Sequence, residues 1–288
     1  LIVPALAAWV LSLSLGRAFI AASAPTYDEP VHLASGYAAL RARPLNWRDH
    51  PPFAEAFAAL PLLRLNPAAM PQAQATEKLY DFADLFLYKN TVDARRLLDA
   101  ARVWSLAVWM ALLLAVISAW AFGLGGAPAA AGACAAAALM PPLVSNAALV
   151  TTDAAPTALY ALGFFLLSRE RRPAWLWAAA GAALGLAMAA KFSLFAAPFL
   201  AVGALLSESR LRGAPRARPA QAALMLAAAA AALWLVYRSW GLGLYWDGLS
   251  ATAARLQNGR PSFLAGRRSL SGFWPYFPAA LLLKTPAP

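Results

Sequence analysis

Cysteine, histidine and charge are all scarce in this chain. One cysteine, Cys134, and two histidines, His32 and His50, stand among 288 residues. A single thiol closes no intramolecular disulfide and makes no cysteine-based metal site. Cys134 lies inside an alanine-rich apolar run and reads as a packed core residue. Only 13% of the residues are charged, against about 25% in ordinary soluble domains. Acidic residues are the scarcer sign, 13 against 24 basic, which leaves a net charge of +11 and a pI near 10.4. Such a balance can mark a nucleic-acid binder, but here the basic residues fall mainly in loops between apolar runs. That distribution is membrane topology, so no nucleic-acid partner is expected.

Hydrophobic sequence is what the chain has in quantity: 61% of residues, with a mean hydropathy of +0.57. One bilayer crossing takes roughly 20 mostly apolar residues. Such runs occupy roughly 2–22, 103–122, 127–146, 154–168, 173–190, 192–206 and 220–237, and another begins near 276. Lipid leaves no partner for an unpaired backbone amide, and the runs lack the alternation of barrel strands. The expected fold class is therefore all-α, a polytopic transmembrane helix bundle of seven complete spans and one partial. The chain opens at Leu1 without Met and stops as a hydrophobic segment begins, so it reads as the N-terminal piece of a longer protein. The first run is long and has no basic region before it, which favours a retained span over a cleaved signal peptide.

Orientation follows from the short loops. Arg169, Glu170, Arg171 and Arg172, and the stretch with Arg210, Arg212, Arg216 and Arg218, place loops near 169–172 and 207–219 on the cytoplasmic side. Two spans separate these loops, so the assignments agree. Counting back puts 23–102, the break from Ser145 to Asp153, Lys191, and 239–275 on the outer face of one module, 1–288. The long first outer loop carries two helical patterns beginning at prolines, one with Val31, Ala34, Tyr37 and Ala38, the other with Phe53, Phe57 and Leu60. Amphipathic helices of this kind can lie in the membrane interface, with Trp47 as an anchor between them.

Four constellations carry chemistry, and each has a plain structural alternative. Tyr27-Asp28-Glu29-Pro30-Val31-His32 places two carboxylates and an imidazole after the first span; alternatively, the acids cap the next helix. Asp49-His50-Pro51-Pro52 adds a carboxylate and an imidazole, candidate ligands for a divalent metal ion, or is simply a turn. Thr151-Thr152-Asp153 sets an ionisable group at a membrane boundary, or is an N-cap. Lys191, alone between two apolar runs, Arg102 at the start of the second span, and Arg95, Arg96, Arg260, Arg267 and Arg268 can meet lipid phosphate or snorkel to headgroups.

The order of these motifs resembles the polyprenyl-phosphate-sugar-dependent membrane glycosyltransferases of the GT-C class. The likeness is to the family-39 kind, which includes protein O-mannosyltransferases and lipid A aminoarabinose transferases. The matching pieces are Tyr27-Asp28-Glu29, Asp49-His50-Pro51-Pro52, Ala101-Arg102, Thr152-Asp153-Ala154-Ala155-Pro156, Lys191, and the tail from Phe273-Trp274-Pro275-Tyr276-Phe277-Pro278 to Lys284-Thr285-Pro286. The resemblance implies that Asp28 is the catalytic base, Asp153 a second essential acid, and Lys191 a contact of the donor phosphate. Arg102 and His50 are further candidates for that phosphate. It implies a polyprenyl-phosphate-sugar donor, a lipid, protein or glycan acceptor, and a bacterial plasma (inner) membrane with the site facing outward. Related enzymes bind a metal through an acid of the first loop and a histidine of the later one. Residues 239–275 contain no histidine, and the corresponding place, near Ser269, lacks that ligand.

The chemistry agrees. A sugar on a lipid phosphate has a good leaving group, so the reaction needs a base for the acceptor hydroxyl and cations for the departing phosphate, with inversion at the anomeric carbon. Glu29 would orient Asp28 or the acceptor, and two adjacent carboxylates could raise one pKa. Two other classes compete: a multi-span transporter or lipid flippase, and a non-catalytic membrane scaffold. Transporters place charges near the bilayer midplane on broken helices, whereas these candidates sit at span ends on one side.

Overall fold

The computed structural model describes residues 2–41, 43–68, 78–169, 173–212, 219–257 and 261–284. Those residues are mainly helical, with almost no strand. α1 (Ile2–Ala22), α6 (Ala94–Ala138) and α11 (Pro219–Tyr237) are long and apolar enough to cross a membrane. α8 (Ala154–Leu167), α9 (Ala174–Ala190) and the stretch Phe192–Leu205 are apolar but shorter. The 14 residues of α8 rise only about 21 Å, so among the described residues three helices, against the seven full spans expected from the sequence, are of spanning length. Glu170, Arg171, Arg172, Arg216, Arg218 and Arg260, on which part of the loop assignment rests, lie outside the described residues, as do Thr285 and Pro286.

The second and third expected spans form one helical stretch, α6, broken where Gly125 (φ −155°, ψ 24°) and Gly126 (φ 68°, ψ −159°) leave helical geometry. The left-handed φ of Gly126 is open to a residue without Cβ, and Pro128 suits the first turn of the arm that follows. That arm ends at Ala138, and Pro141 starts the short α7 (Pro141–Ala147). The sixth expected span also begins differently, with a 3-10 turn at Phe192–Leu194 before α10 (Ala197–Arg212).

Small residues set the closest helix contacts. A Cβ at Gly181 would lie 2.1 Å from the Met225 carbonyl oxygen, and one at Gly185 would lie 2.2 Å from that of Ala229. Glycines four apart therefore let α9 and α11 meet backbone to backbone, as small residues do between membrane helices. α8 and α9 form an antiparallel pair, which brings Asp153, before one, and Lys191, after the other, to the same end of the bundle.

The first loop packs its expected helices into a cap. α2 (Glu29–Arg41) is buried at every residue from Glu29 to Ala39. Its Ala34, Ser35, Gly36, Ala38 and Ala39 leave no bulky polar face to keep in water, so neighbours close around it. α3 (Pro52–Ala59) approaches so tightly that a Cβ on Gly36 would be 2.1 Å from the Glu55 carbonyl oxygen. α4 (Leu62–Leu65) and α5 (Leu79–Tyr88) complete this cap, whose core joins Leu33 and Tyr37 to Phe82, Phe86 and Leu97. On the other side of the same end, residues expected as a plain loop hold α12 (Gly243–Gln257) and a hairpin of β1 (Ser262–Leu264) with β2 (Arg267–Ser269). α13 (Tyr276–Lys284) follows.

Candidate functional site

The acidic pair divides at the start of α2. Asp28 is exposed, whereas Glu29 is fully buried. Glu29 Oε1 accepts from Arg102 Nε at 2.8 Å and from the Val150 amide at 2.9 Å. Its Oε2 accepts from Arg102 Nη2 at 2.5 Å, the Thr26 amide at 2.8 Å and Thr26 Oγ1 at 3.1 Å. Arg102 also donates to the carbonyls of Ser23 at 3.2 Å and Ala24 at 3.0 Å. One ion pair thus ties together the end of α1, the start of α2, the first turns of α6 and the turn before α8. Burial works to raise the Glu29 carboxyl, but the Arg102 hydrogen bonds, the two backbone amides and the Arg102 charge together hold it below the ordinary glutamate value.

This brace alters two expected roles. Glu29 points into protein rather than toward Asp28, and its pKa moves down where a pair of close carboxylates would push one up. Arg102 is 1% exposed, its guanidinium fully engaged, and it is absent from the walls of the cavity that holds Asp28. Neither residue lines that cavity.

That cavity, of about 390 Å³, is bounded by Asp28, His32, Asp49, His50, Lys191 and Arg255, with Tyr80, Asn46 and Thr252 between them. The Tyr80 hydroxyl donates to Asp28 Oδ1 at 3.3 Å, and its ring stacks on Tyr27 with centroids 4.9 Å apart. Lys191 is ion-paired with Asp153. Asp153 belongs to a neighbouring, mostly apolar groove of about 270 Å³ lined by Trp109, Met110, Leu113 and Leu143. The Lys191–Asp153 pair therefore stands on the boundary between a polar cavity and an apolar groove. Across the cavity, Arg255 of α12 pairs with Asp49 and donates to the Arg48 carbonyl at 2.6 Å. The fit is close there too, since a Cβ on Gly248 would meet the Trp47 carbonyl oxygen at 2.5 Å.

The two histidines meet edge to face, ring centroids 5.0 Å apart. His32 Nδ1 lies 2.8 Å from Glu55 Oε1, which also accepts from Asn46 Nδ2 at 2.9 Å. His50 Nδ1 has Thr152 Oγ1 at 3.3 Å. Burial lowers both imidazoles. For His32 the hydrogen bond and charge of Glu55, helped by Asp28 and Asp153, outweigh it and raise the pKa. For His50 the charges of Glu55 and Asp28 do not outweigh burial together with His32 and Lys191, and the pKa falls.

The geometry thus gathers Asp28, Asp153, Lys191, Asp49 and His50 at one end and assigns Glu29 and Arg102 to a brace beneath them. Asp49 and His50, the candidate metal ligands, have other neighbours here: Asp49 pairs with Arg255, His50 faces Thr152, and among the described residues no three His, Cys, Asp or Glu groups are arranged to hold a metal. Glu55, Asn46, Tyr80 and Arg255 were not singled out from the sequence. Glu55 had a legible signal, a lone acid on the otherwise apolar α3, whereas Tyr80 and Arg255 reach the site only through α5 and α12. No family model, curated protein or solved structure matches this chain.

Proposed function

We propose that this protein is an integral membrane glycosyltransferase of the GT-C kind. It moves a sugar from a polyprenyl-phosphate donor to an acceptor hydroxyl of a lipid, protein or glycan on the outer face of a bacterial plasma membrane. The observation that carries this reading is the placement of Asp28 in a polar cavity that meets an apolar groove at the Lys191–Asp153 pair. A donor with a long hydrocarbon tail, a phosphate and a sugar needs that succession of surfaces. The apolar helices and the excess of cations in loops support the membrane setting.

In the reaction, the acceptor oxygen attacks the anomeric carbon from the face opposite the phosphate. Asp28 takes the hydroxyl proton, the bond from the anomeric carbon to the phosphate oxygen breaks, and its electron pair leaves with the lipid phosphate. Configuration inverts. Lys191 stabilises the departing phosphate, and Asp153 holds the lysine at the mouth of the groove. No general acid is required, because the phosphate leaves without being protonated.

The test is Asp28→Asn, reconstituted in vesicles and assayed with polyprenyl-phosphoryl sugars. Loss of a general base lowers turnover by about 100-fold or more, while insertion and melting stay as in the parent protein. Undiminished turnover overturns the assignment of the base.

A further inference from the structure

His32 and His50 both line the cavity, and their surroundings make them different chemical groups. Against an ionised Glu55, which only accepts, the 2.8 Å contact has His32 Nδ1 donating and leaves Nε2 as the second functional atom of the ring. The contact of His50 is with a hydroxyl at 3.3 Å, which serves equally as donor or acceptor and contributes no charge. Glu55 is 1% exposed, and its Oε2 is buried with no hydrogen-bond partner. A buried carboxylate with one bare oxygen is costly unless a full cation sits beside it. His32 is its only ion-pair partner among the described residues.

The sides on which these charges lie matter as much as the pairing. His32 lines the cavity and Glu55 does not; Lys191 lines it, while Asp153 lines the groove. In each of these two pairs the basic partner lines the cavity and the acidic partner does not. Arg255 and Asp49, by contrast, line it together and offset each other.

We infer that Glu55 is a positioning residue that holds His32, rather than His50, as the imidazole meeting the phosphate of a lipid-phosphate donor beside Lys191. The inference rests on the transferase reading above and names the groups that receive the donor's phosphate. The charged groups that face His32 agree with it: Asp28 from the turn before its helix, Glu55 from α3 and Asp153 from the turn before α8 all favour the imidazolium. His32 in turn works against protonation of His50, in the segment before α3. The upward displacement of the His32 pKa is what this arrangement produces.

Two measurements on the intact protein in detergent test it. The first is nitrogen NMR of protein labelled only in histidine, which holds two imidazoles. One ring should show a strongly hydrogen-bonded Nδ1–H and keep its second proton to higher pH than the other. That signature should persist in His50→Gln and vanish in Glu55→Gln. Its survival in Glu55→Gln overturns the inference. The second is binding of undecaprenyl phosphate, with undecaprenol as the control lacking phosphate. His32→Gln and Glu55→Gln should each weaken undecaprenyl phosphate by about tenfold, as loss of a charge-assisted contact does. They should leave undecaprenol unchanged, and Glu55→Asp should recover part of the loss. A larger effect from His50→Gln than from His32→Gln, or equal parent affinity for the two lipids, overturns it. If Glu55→Gln fails to fold, the comparison of the two histidine variants still decides. If Asp28→Asn keeps full turnover while these binding differences hold, the transferase mechanism falls and the phosphate site stands.

Discussion

Asp28 and Glu29 are neighbours in the chain and are sent to opposite environments. Asp28 faces an open cavity with a tyrosine hydroxyl at 3.3 Å, while Glu29 is sealed around a guanidinium with five hydrogen bonds from protein donors. The difference teaches that a pair of acids need not act as a pair. Burial makes one of them a structural counter-ion, and its immobility is what gives the other a fixed position at the end of α2. The brace and the cavity rim should therefore fail in different ways.

The largest effect is expected in the brace. Arg102→Ala leaves Glu29 buried without its cation, and breaking a buried pair in this way costs roughly 3–5 kcal/mol. A large drop in melting temperature in detergent is expected, and melting within a degree or two of the parent would mean that Glu29 finds solvent. Asp28→Asn should do the reverse, with turnover reduced by about 100-fold and melting unchanged. If the two variants lose stability equally, the contrast between them is gone.

Gly36→Ala tests how firmly the cap holds the rim. A Cβ there would press on the backbone of α3 at 2.1 Å, and overpacking of this kind costs about 1–3 kcal/mol. Because α3 carries Glu55, donor affinity should weaken with stability. The smallest effect belongs to Asp49→Asn, whose pair with Arg255 has side chains 42% and 36% exposed. Such pairs contribute below about 1 kcal/mol, so any sizeable loss of activity there would come from the placement of α12 beside the cavity and not from folding.

Acidity separates the regions as well. Glu29 titrates below its ordinary value of 4.5 when folded, so its contribution is complete above that value and is lost as pH falls through the lowered pKa. His32 titrates above its ordinary value of 6.5; its contribution is complete below 6.5 and is lost as pH rises through the raised pKa. Chemical denaturation across pH should show an acid limb removed by Glu29→Gln and a separate alkaline limb removed by His32→Gln.

Much of this was legible in the order of residues. Apolar runs of helical length gave the helices, and alternation of ends put Asp28, Asp153 and Lys191 together before any distance was known. Gly125-Gly126 and Pro128 fall between two runs, and the chain kinks there. The packing of the first-loop helices is not legible, because hydropathy reports an apolar face and not what covers it. α2 is flanked by α3 and α5, neither of which its own sequence announces. Arg102 was read as a phosphate contact because its partner lies 73 positions away.

What the sequence determined by itself is periodic and local: helices, their approximate ends, the scarcity of titratable groups and the side on which they cluster. Those follow from backbone hydrogen bonding in an apolar setting, which each segment satisfies within itself. Tertiary structure alone decided which carboxylate is buried, which histidine gains a carboxylate, and which partner of each pair lines the cavity. The physical reason is that the state of a charge is fixed by burial and by its nearest partner, and here those partners, Glu29 with Arg102 and His32 with Glu55, come from different helices.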